Sequence, residues 1–295
     1  SLAPSRIGLG MRPGRAEDNL SPKLTQAECA EMCVRIRRHI IEMIHAAGSG
    51  HPGGSLSATE LVTALYFHFL RQDPQHADAP DRDRFILSKG HGVPVQYAAM
   101  AERGYFPIAD LTTLRHIDSR LEGHPVKGTL PGIEASTGAL GQGLSIACGH
   151  ALAGRLDGRD FITYCLLGDG EINEGQVWEA ALFAAHQRLE RLVAIVDANH
   201  IQLDGYTADI LDTEPLVDKW RSFGWNVIEI DGNDLAQVFA AYEAAGANLG
   251  RPFCIIARTI KGKGVSFMEN SVAWHGVAPD AEQTAAALAE IGEAR

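Results

Sequence analysis

"LLGDGEINEGQVWEAALFAAHQRLERLVAIVDANHIQLDG", residues 166–205, is the stretch on which the fold turns. It joins two apolar runs, "FITYCLLG" (161–168) and "LVAIVD" (192–197), each short enough to be a buried strand and each closed by a polar cluster. Both read as buried strands, and residues 175–189 between them carry a helical pattern. A strand, helix and strand in this order require a crossover, which makes the strands parallel. "WNVIEI" (225–230) and "FCIIART" (253–259) repeat the theme around a helix expected over 234–245. Upstream, "RDRFILSKGHG" gives a short strand over 84–87 running into a Gly/His loop. Further helices are expected over 24–47, ended by "GSGHPGG", over 58–70 with Ser57 as N-cap, and over 137–156. The expectation is an α/β fold, a parallel sheet covered by helices on both faces. With no repeat or domain-sized linker, one domain over 23–279 is expected, after an N-terminal extension (1–22) and before a C-terminal helical tail (280–295).

Composition narrows the function. The chain has 295 residues, and its formal charge of -11 argues against a nucleic-acid partner. It leaves room for an anionic ligand, because a local site can be positive on an acidic protein. The five cysteines (Cys29, Cys33, Cys148, Cys165, Cys254) contain no CxxC pair and read as reduced core thiols, so a cytoplasmic location is expected. No apolar run approaches the roughly 20 residues of a membrane span, so no membrane partner is expected. "SLAPSRIGLGMRPGRAEDNL" lacks the apolar centre of a secretory signal. "GALGQG" reads GxxGxG rather than GxGxxG and no GxxxxGK[ST] occurs, which argues against a Rossmann dinucleotide or P-loop function.

In open parallel sheets ligands sit beyond the carboxyl ends of the strands. Asp169 and Asn199 fall at two such ends, on successive strands. A carboxylate, an amide oxygen and a nearby backbone carbonyl form a hard-oxygen set suited to Mg²⁺ or Ca²⁺. Gly168 and Gly170 let the backbone come close, so the N–H of Gly170 or Glu171 can face a phosphate. Either cluster alone is a tight turn; together they suggest a metal–diphosphate clamp. Of twelve histidines, eight read as helix, loop or surface residues, His200 among them. His51 in "SGHPG", His91 in "KGHG", His124 in "EGHP" and His275 in "WHG" lie in glycine-flanked loops, and suggest donors and proton carriers around an anionic substrate.

The GDG…N pattern resembles the thiamine-diphosphate signature. "SGHPGG", "DRFILSKGHG", "LEGHP", "STGALGQG", "LLGDGEINEGQVWEA", "IVDANHIQLDG", "FGWNVIEIDG" and "TIKGKGVSFMENSVAWHG" follow in the order of the N-terminal, diphosphate-binding half of a transketolase. The resemblance runs from about Leu24 to about Pro279. It implies a thiamine-diphosphate-binding fold and transfer of a two-carbon ketol unit from a ketose or ketose phosphate to an aldose. By position it implies metal ligation by Asp169, Asn199 and the Ile201 carbonyl, with Gly170 and Glu171 at the diphosphate. Gly138 and Leu140 would approach the aminopyrimidine through their backbones. His51 and His275 would sit near the thiazolium and the substrate carbonyl, His91 at a cofactor phosphate or substrate oxygen, and His124 at the hydroxyl and carbonyl end of the donor. Lys89 and Lys261 match lysines of the animal-type enzymes near the cofactor. Glu174 is a carboxylate at a helix N-terminus or, as in the family, part of a network between paired cofactor sites.

A full transketolase chain is about twice this length, and the glutamate that activates its cofactor comes from a later domain. The resemblance therefore implies the N-terminal subunit of a split enzyme, with a separate C-terminal subunit supplying that Glu and a heterotetramer of two copies of each chain. Deoxyxylulose-phosphate synthases and two-chain 2-oxoacid dehydrogenases share the cofactor pattern, but "EGHP" and "WHG" favour transketolase over both. A non-catalytic metal- or phosphate-binding regulatory subunit is the remaining alternative.

Overall fold

The computed structural model describes residues 22–292. The expected extension lies outside the described residues except for Pro22, as do the last three residues of the expected tail. Five strands, β1 (Arg84–Leu87), β2 (Thr163–Gly168), β3 (Leu192–Ala198), β4 (Asn226–Asp231) and β5 (Phe253–Arg258), form one parallel sheet in the order β1-β2-β3-β5-β4. All seven residues of β3 are buried. Such a strand reads as a continuous apolar run because both of its faces are covered.

The helices are α1 (Gln26–Ala47), α2 (Pro52–Ser57), α3 (Thr59–Ala64), α4 (Val93–Arg103), α5 (Gly143–Leu156), α6 (Gly175–His186), α7 (Thr207–Ile210), α8 (Leu216–Ser222), α9 (Leu235–Ala247) and α10 (Ala281–Ile291). α1 begins with a capping box. Glu28 N–H donates to the Thr25 hydroxyl while the Glu28 carboxylate accepts from Thr25 N–H at 2.7 Å, and Gly48 ends the helix at φ 62°. α10 begins the same way, on Asp280 and Gln283. It packs along α1, where Arg38 donates to the Leu288 and Gly292 carbonyls at 3.2 and 2.8 Å. Among the described residues no helix is long and apolar enough to cross a membrane.

Two expectations need correction. Ser57 does not cap a helix over 58–70: it is the last residue of α2, a new helix starts at Thr59, and residues 65–69 widen into a π turn. The glycines of "GSGHPGG" conceal a helix that begins at Pro52, a residue preorganised for the first helical turn. Nor is 137–156 continuous helix, since α5 starts at Gly143. Gly138 (φ 133°) and Gly141 (φ 83°) take conformations that a helix cannot contain.

Side chains alternate between two cores. Tyr164 and Leu166 of β2 and Val193 and Ile195 of β3 face one core, with α1, α3, α4 and α9. Cys165, Leu167, Ala194 and Val196 face the other, with α5, α6 and α8. The β2–β3 connection therefore carries α6 on one face, and the β4–β5 connection carries α9 on the opposite face. Strand order reverses between β3 and β5, and that switch point is where an open α/β sheet leaves a crevice beyond its strand ends. Register sets Gly168 beside Asp197 and Asp197 beside Ala257, so three strands end together there.

One close approach fixes the loop before α5. Gly143 N–H donates to the Ser88 hydroxyl at 3.2 Å, and a Cβ on Gly143 would stand 2.3 Å from that oxygen and 2.7 Å from the Ser88 Cα. Gly143→Ala is expected to destabilise the chain by about 1–3 kcal/mol through overpacking. A urea midpoint identical to wild type would contradict this reading of the contact.

Candidate active site

The crevice centres on Asp197, a fully buried residue near the end of β3. It accepts from Lys89 Nζ and from the Thr259, Ser57 and Asn199 side chains, the last two at 2.6 and 3.2 Å. Burial by itself would raise its carboxyl, but Lys89 and these hydrogen bonds outweigh it and hold the group below the usual carboxylate range. Lys89, 1% exposed, also donates to the Gly54 carbonyl at 2.7 Å. Four segments are thus tied to one carboxylate: α2, the loop after β1, the end of β3 and the loop after β5.

Beside this knot lie the expected metal ligands. Asp169, 3% exposed, follows β2 and accepts from Gly170 N–H at 2.8 Å and from His200 N–H. Asn199 Oδ1 accepts from Ile201 N–H at 3.2 Å, and the Ile201 carbonyl accepts from Lys261 Nζ at 3.0 Å. The structure therefore joins Asp169, Asn199 and Ile201 through the 199–201 turn, in which His200 takes φ 65°. Burial, then the neighbouring Asp197 charge, push Asp169 up to about 7. No cluster of three His, Cys, Asp or Glu side chains suited to a metal occurs among the described residues. The oxygen set here contains one carboxylate, one amide and one carbonyl.

The four glycine-flanked histidines converge. His51 is 5.2 Å from His91, 5.6 Å from His275 and 6.5 Å from His124, centroid to centroid, and His91 stacks on His275 at 5.4 Å. Burial depresses all four. Lys261 adds to the effect on His275, which falls to about 3, and Lys89 to that on His91; His51 falls to about 4. All are neutral at pH 7. Lys261 Nζ contacts His275 Nδ1 at 2.6 Å, and an ammonium only donates, so Nδ1 is the acceptor and the ring proton sits on Nε2. His51 Nδ1 is buried with no protein partner.

The loop over 137–142 closes one side. Thr137 hydroxyl donates to the Leu87 carbonyl at 2.6 Å, and a Cβ on Gly138 would stand 2.7 Å from the His124 ring. Leu140 lies on the same loop, 37% exposed. Glu171 turns its carboxylate inward, accepting from Gly141 and Gly168 N–H at 2.9 and 3.0 Å and from the Ser88 hydroxyl. Glu174 stands at the N-cap of α6 and makes no side-chain cap bond.

Residues 29–294 match the family of the transketolase thiamine diphosphate binding domain. The chain belongs to the transketolase family. Its sequence is 47% identical over 256 residues to the 6-deoxy-6-sulfo-D-fructose transketolase subunit of Clostridium sp. strain MSTE9, covering 87% of this chain and 93% of that one. It is 44% identical over 269 residues to an apulose-4-phosphate transketolase subunit of Actinobacillus succinogenes, covering 91% and 97%. The transketolase of Leishmania mexicana superposes with a TM-score of 0.83 at 33% identity, covering 92% of this chain but 42% of that one. The match thus covers nearly all of the two subunits but only about two fifths of the solved transketolase.

In this transketolase chain the residues that sequence reasoning left without a role are the braces. Asp197 ends the quoted run "LVAIVD", and an acid closing an otherwise apolar buried strand was the available signal. Ser88 and Thr259 gave none, because the carboxylates they meet are 83 and 62 positions away, and Ser57 reads only as a helix cap because Asp197 is 140 positions away.

Proposed function

We propose that the chain is the thiamine-diphosphate-binding subunit of a two-chain transketolase, which moves a two-carbon ketol unit from a ketose donor to an aldose acceptor. The observation that carries this is the meeting of four neutral histidines with the Asp169–Asn199–Ile201 oxygen set at one crevice. A separate C-terminal subunit completes the site, two copies of each forming a heterotetramer; the names and lengths of the two subunit relatives support this. Those names specify a sulfonated and a phosphorylated ketose, which supports an anionic ketose as donor. Five free, buried cysteines support a reducing, cytoplasmic setting.

The residues fit the metal. Asp169 is buried, is pushed up to about 7 chiefly by that burial and makes no direct ion pair among the described residues, and its neighbours offer hard oxygens of the kind Mg²⁺ or Ca²⁺ takes. Asp169, Asn199 and the Ile201 carbonyl would hold the ion, and the N–H groups of Gly170 and Glu171 would serve the diphosphate. Lys261, already on the Ile201 carbonyl, adds positive charge at that end. Gly138 and Leu140 would meet the aminopyrimidine by backbone. Lys89 acts at one remove, by holding Asp197 and α2 in place.

Thiamine diphosphate, when bound, supplies the electron sink that lets the bond beside a ketose carbonyl break. The protein's part is orientation and proton movement. His51 and His275 face the donor carbonyl as neutral rings, His275 presenting its Nε2 proton and His51 able to accept one. His124 contacts the hydroxyl end of the donor, and His91 a phosphate or substrate oxygen.

Asp169→Asn tests the clamp. It keeps the shape but removes the charge, and is expected to weaken thiamine diphosphate binding in the presence of Mg²⁺ by about 100-fold, the upper end of the range for lost metal-site partners. Chelation of the wild type should do the same. Calorimetry showing unchanged affinity in a folded variant would remove the metal assignment.

A further inference from the structure

The turn over residues 113–124 takes no part in the site described so far, save for His124 at its end, yet it carries a guanidinium to the site's edge. Arg115 has φ 62°, a left-handed conformation that costs a non-glycine residue on the order of 1–2 kcal/mol. The turn holds it there: Arg115 N–H donates to the Leu121 carbonyl at 2.8 Å, and the Thr113 and Ser119 hydroxyls meet at 2.7 Å. From this backbone the side chain lies flat against Gly123, where a Cβ would stand 2.8 Å from Nε and 3.1 Å from Cζ. Its Nη1 donates to the Ser49 hydroxyl at 3.1 Å. Ser49 lies two residues before His51, and Gly123 immediately precedes His124. Among the described residues no carboxylate pairs with Arg115.

We propose that Arg115 is a positioning residue for the donor end of the site: one guanidinium spans the His51 and His124 loops, fixing their separation, and sets an uncompensated positive charge beside both rings. The proposal rests on the reading of these two histidines as donor contacts. After burial, Arg115 is the largest influence lowering each of them. His51 also faces Lys261 and the rings of His91, His124 and His275, while His124 faces the His51 ring and has Glu122 two positions before it, a carboxylate that acts on Tyr97. The cation disfavours the protonated imidazole, so both rings stay free to accept a hydroxyl proton.

Three variants decide it: Arg115→Met removes the charge, Arg115→Lys keeps charge without the span, and Gly123→Ala displaces the guanidinium without deleting it. Each is assayed in the two-chain complex with ketose donor against pH, and by histidine NMR titration of the free chain, with signals assigned from His51→Gln and His124→Gln. Losing the cation removes a force that keeps the rings neutral, so in Arg115→Met both titration midpoints should rise by about 0.5–1 pH unit. The acid limb of activity should move up with them, and donor KM should rise several-fold with acceptor KM unchanged. Arg115→Lys should restore the midpoints but not the donor KM, because one ammonium cannot reach both loops. Gly123→Ala should raise donor KM as Arg115→Met does and both midpoints by less, since the cation moves but stays, and it carries the test if Arg115→Met fails to fold. Unchanged midpoints in Arg115→Met or Gly123→Ala, or full recovery of donor KM in Arg115→Lys, would overturn the proposal. Absence of ketol transfer in the wild-type complex would instead strike the functional reading, and the titrations would still judge the clamp.

Discussion

Purified without a partner, the chain should give no measurable ketol transfer from any ketose, and titration with the complementary subunit should restore turnover to a plateau at equal stoichiometry. The reason lies in how its carboxylates are used. Activation of the cofactor's ring needs a carboxyl free to bond to it, and the buried acids around the crevice are all committed. Asp169 accepts from two backbone amides, Glu171 from two amides and the Ser88 hydroxyl, and Asp197 from four side chains. Turning any of them outward would strand its donors, at about 1–3 kcal/mol for each unsatisfied group.

Loss of a general acid or base alone costs about 10²–10⁴-fold. The partner would also bring whatever grips the far end of the sugar, so the solitary chain should fall below detection. Cofactor binding should be weakened rather than abolished, because the residues proposed for the metal–diphosphate end all belong to this chain. Calorimetry and a coupled ketose assay, each with and without the second subunit, separate the two effects. Ketol transfer by the isolated chain at a rate comparable with the complex would refute the two-chain reading.

Strand positions were legible because apolar runs with polar ends survive in a single sequence: β1 was placed to the residue, and β2, β3, β4 and β5 within two. The break between α2 and α3 was not legible. Apolar periodicity continues through Ala58, where the backbone departs from the helix at φ -88° and ψ 5°, beside a Ser57 hydroxyl committed to Asp197 140 positions away. The loop over 137–142 was mistaken for helix because small residues suit both states, and only the positive φ at Gly138 and Gly141 distinguishes them. At the site, the glycine-flanked histidines and the Asp169–Asn199 pair could be picked out by local context. Their supports could not: Lys89 reads as a loop cation beside His91, whereas in the fold it is 1% exposed against Asp197. Arg115 sits in an unremarkable polar turn and reaches the loops of His51 and His124 only through tertiary contacts with Ser49 and Gly123.

Lys89→Met should be the most destabilising single substitution at this site. Removing one member of a buried ion pair leaves the other uncompensated, typically at about 3–5 kcal/mol. Here the survivor, Asp197, is wholly enclosed, and the same change also frees the Gly54 carbonyl. The pH dependence distinguishes lost charge compensation from lost packing. In the wild type Asp197 is held below its ordinary range, so its stabilising contribution is present above about pH 4 and disappears as pH falls through the folded-state value. Without Lys89, burial dominates and the carboxyl rises above its unfolded value. The charged form then weakens the fold at neutral pH, and lowering the pH from 7 to 5 should narrow the stability gap between the variant and the wild type. Asp197→Asn added to Lys89→Met should recover part of the loss for the same reason, since a neutral amide needs no counter-ion. Denaturation midpoints that drop equally at pH 5 and 7, with no rescue by the second substitution, would show that Lys89 contributes through its aliphatic stem and not through its charge.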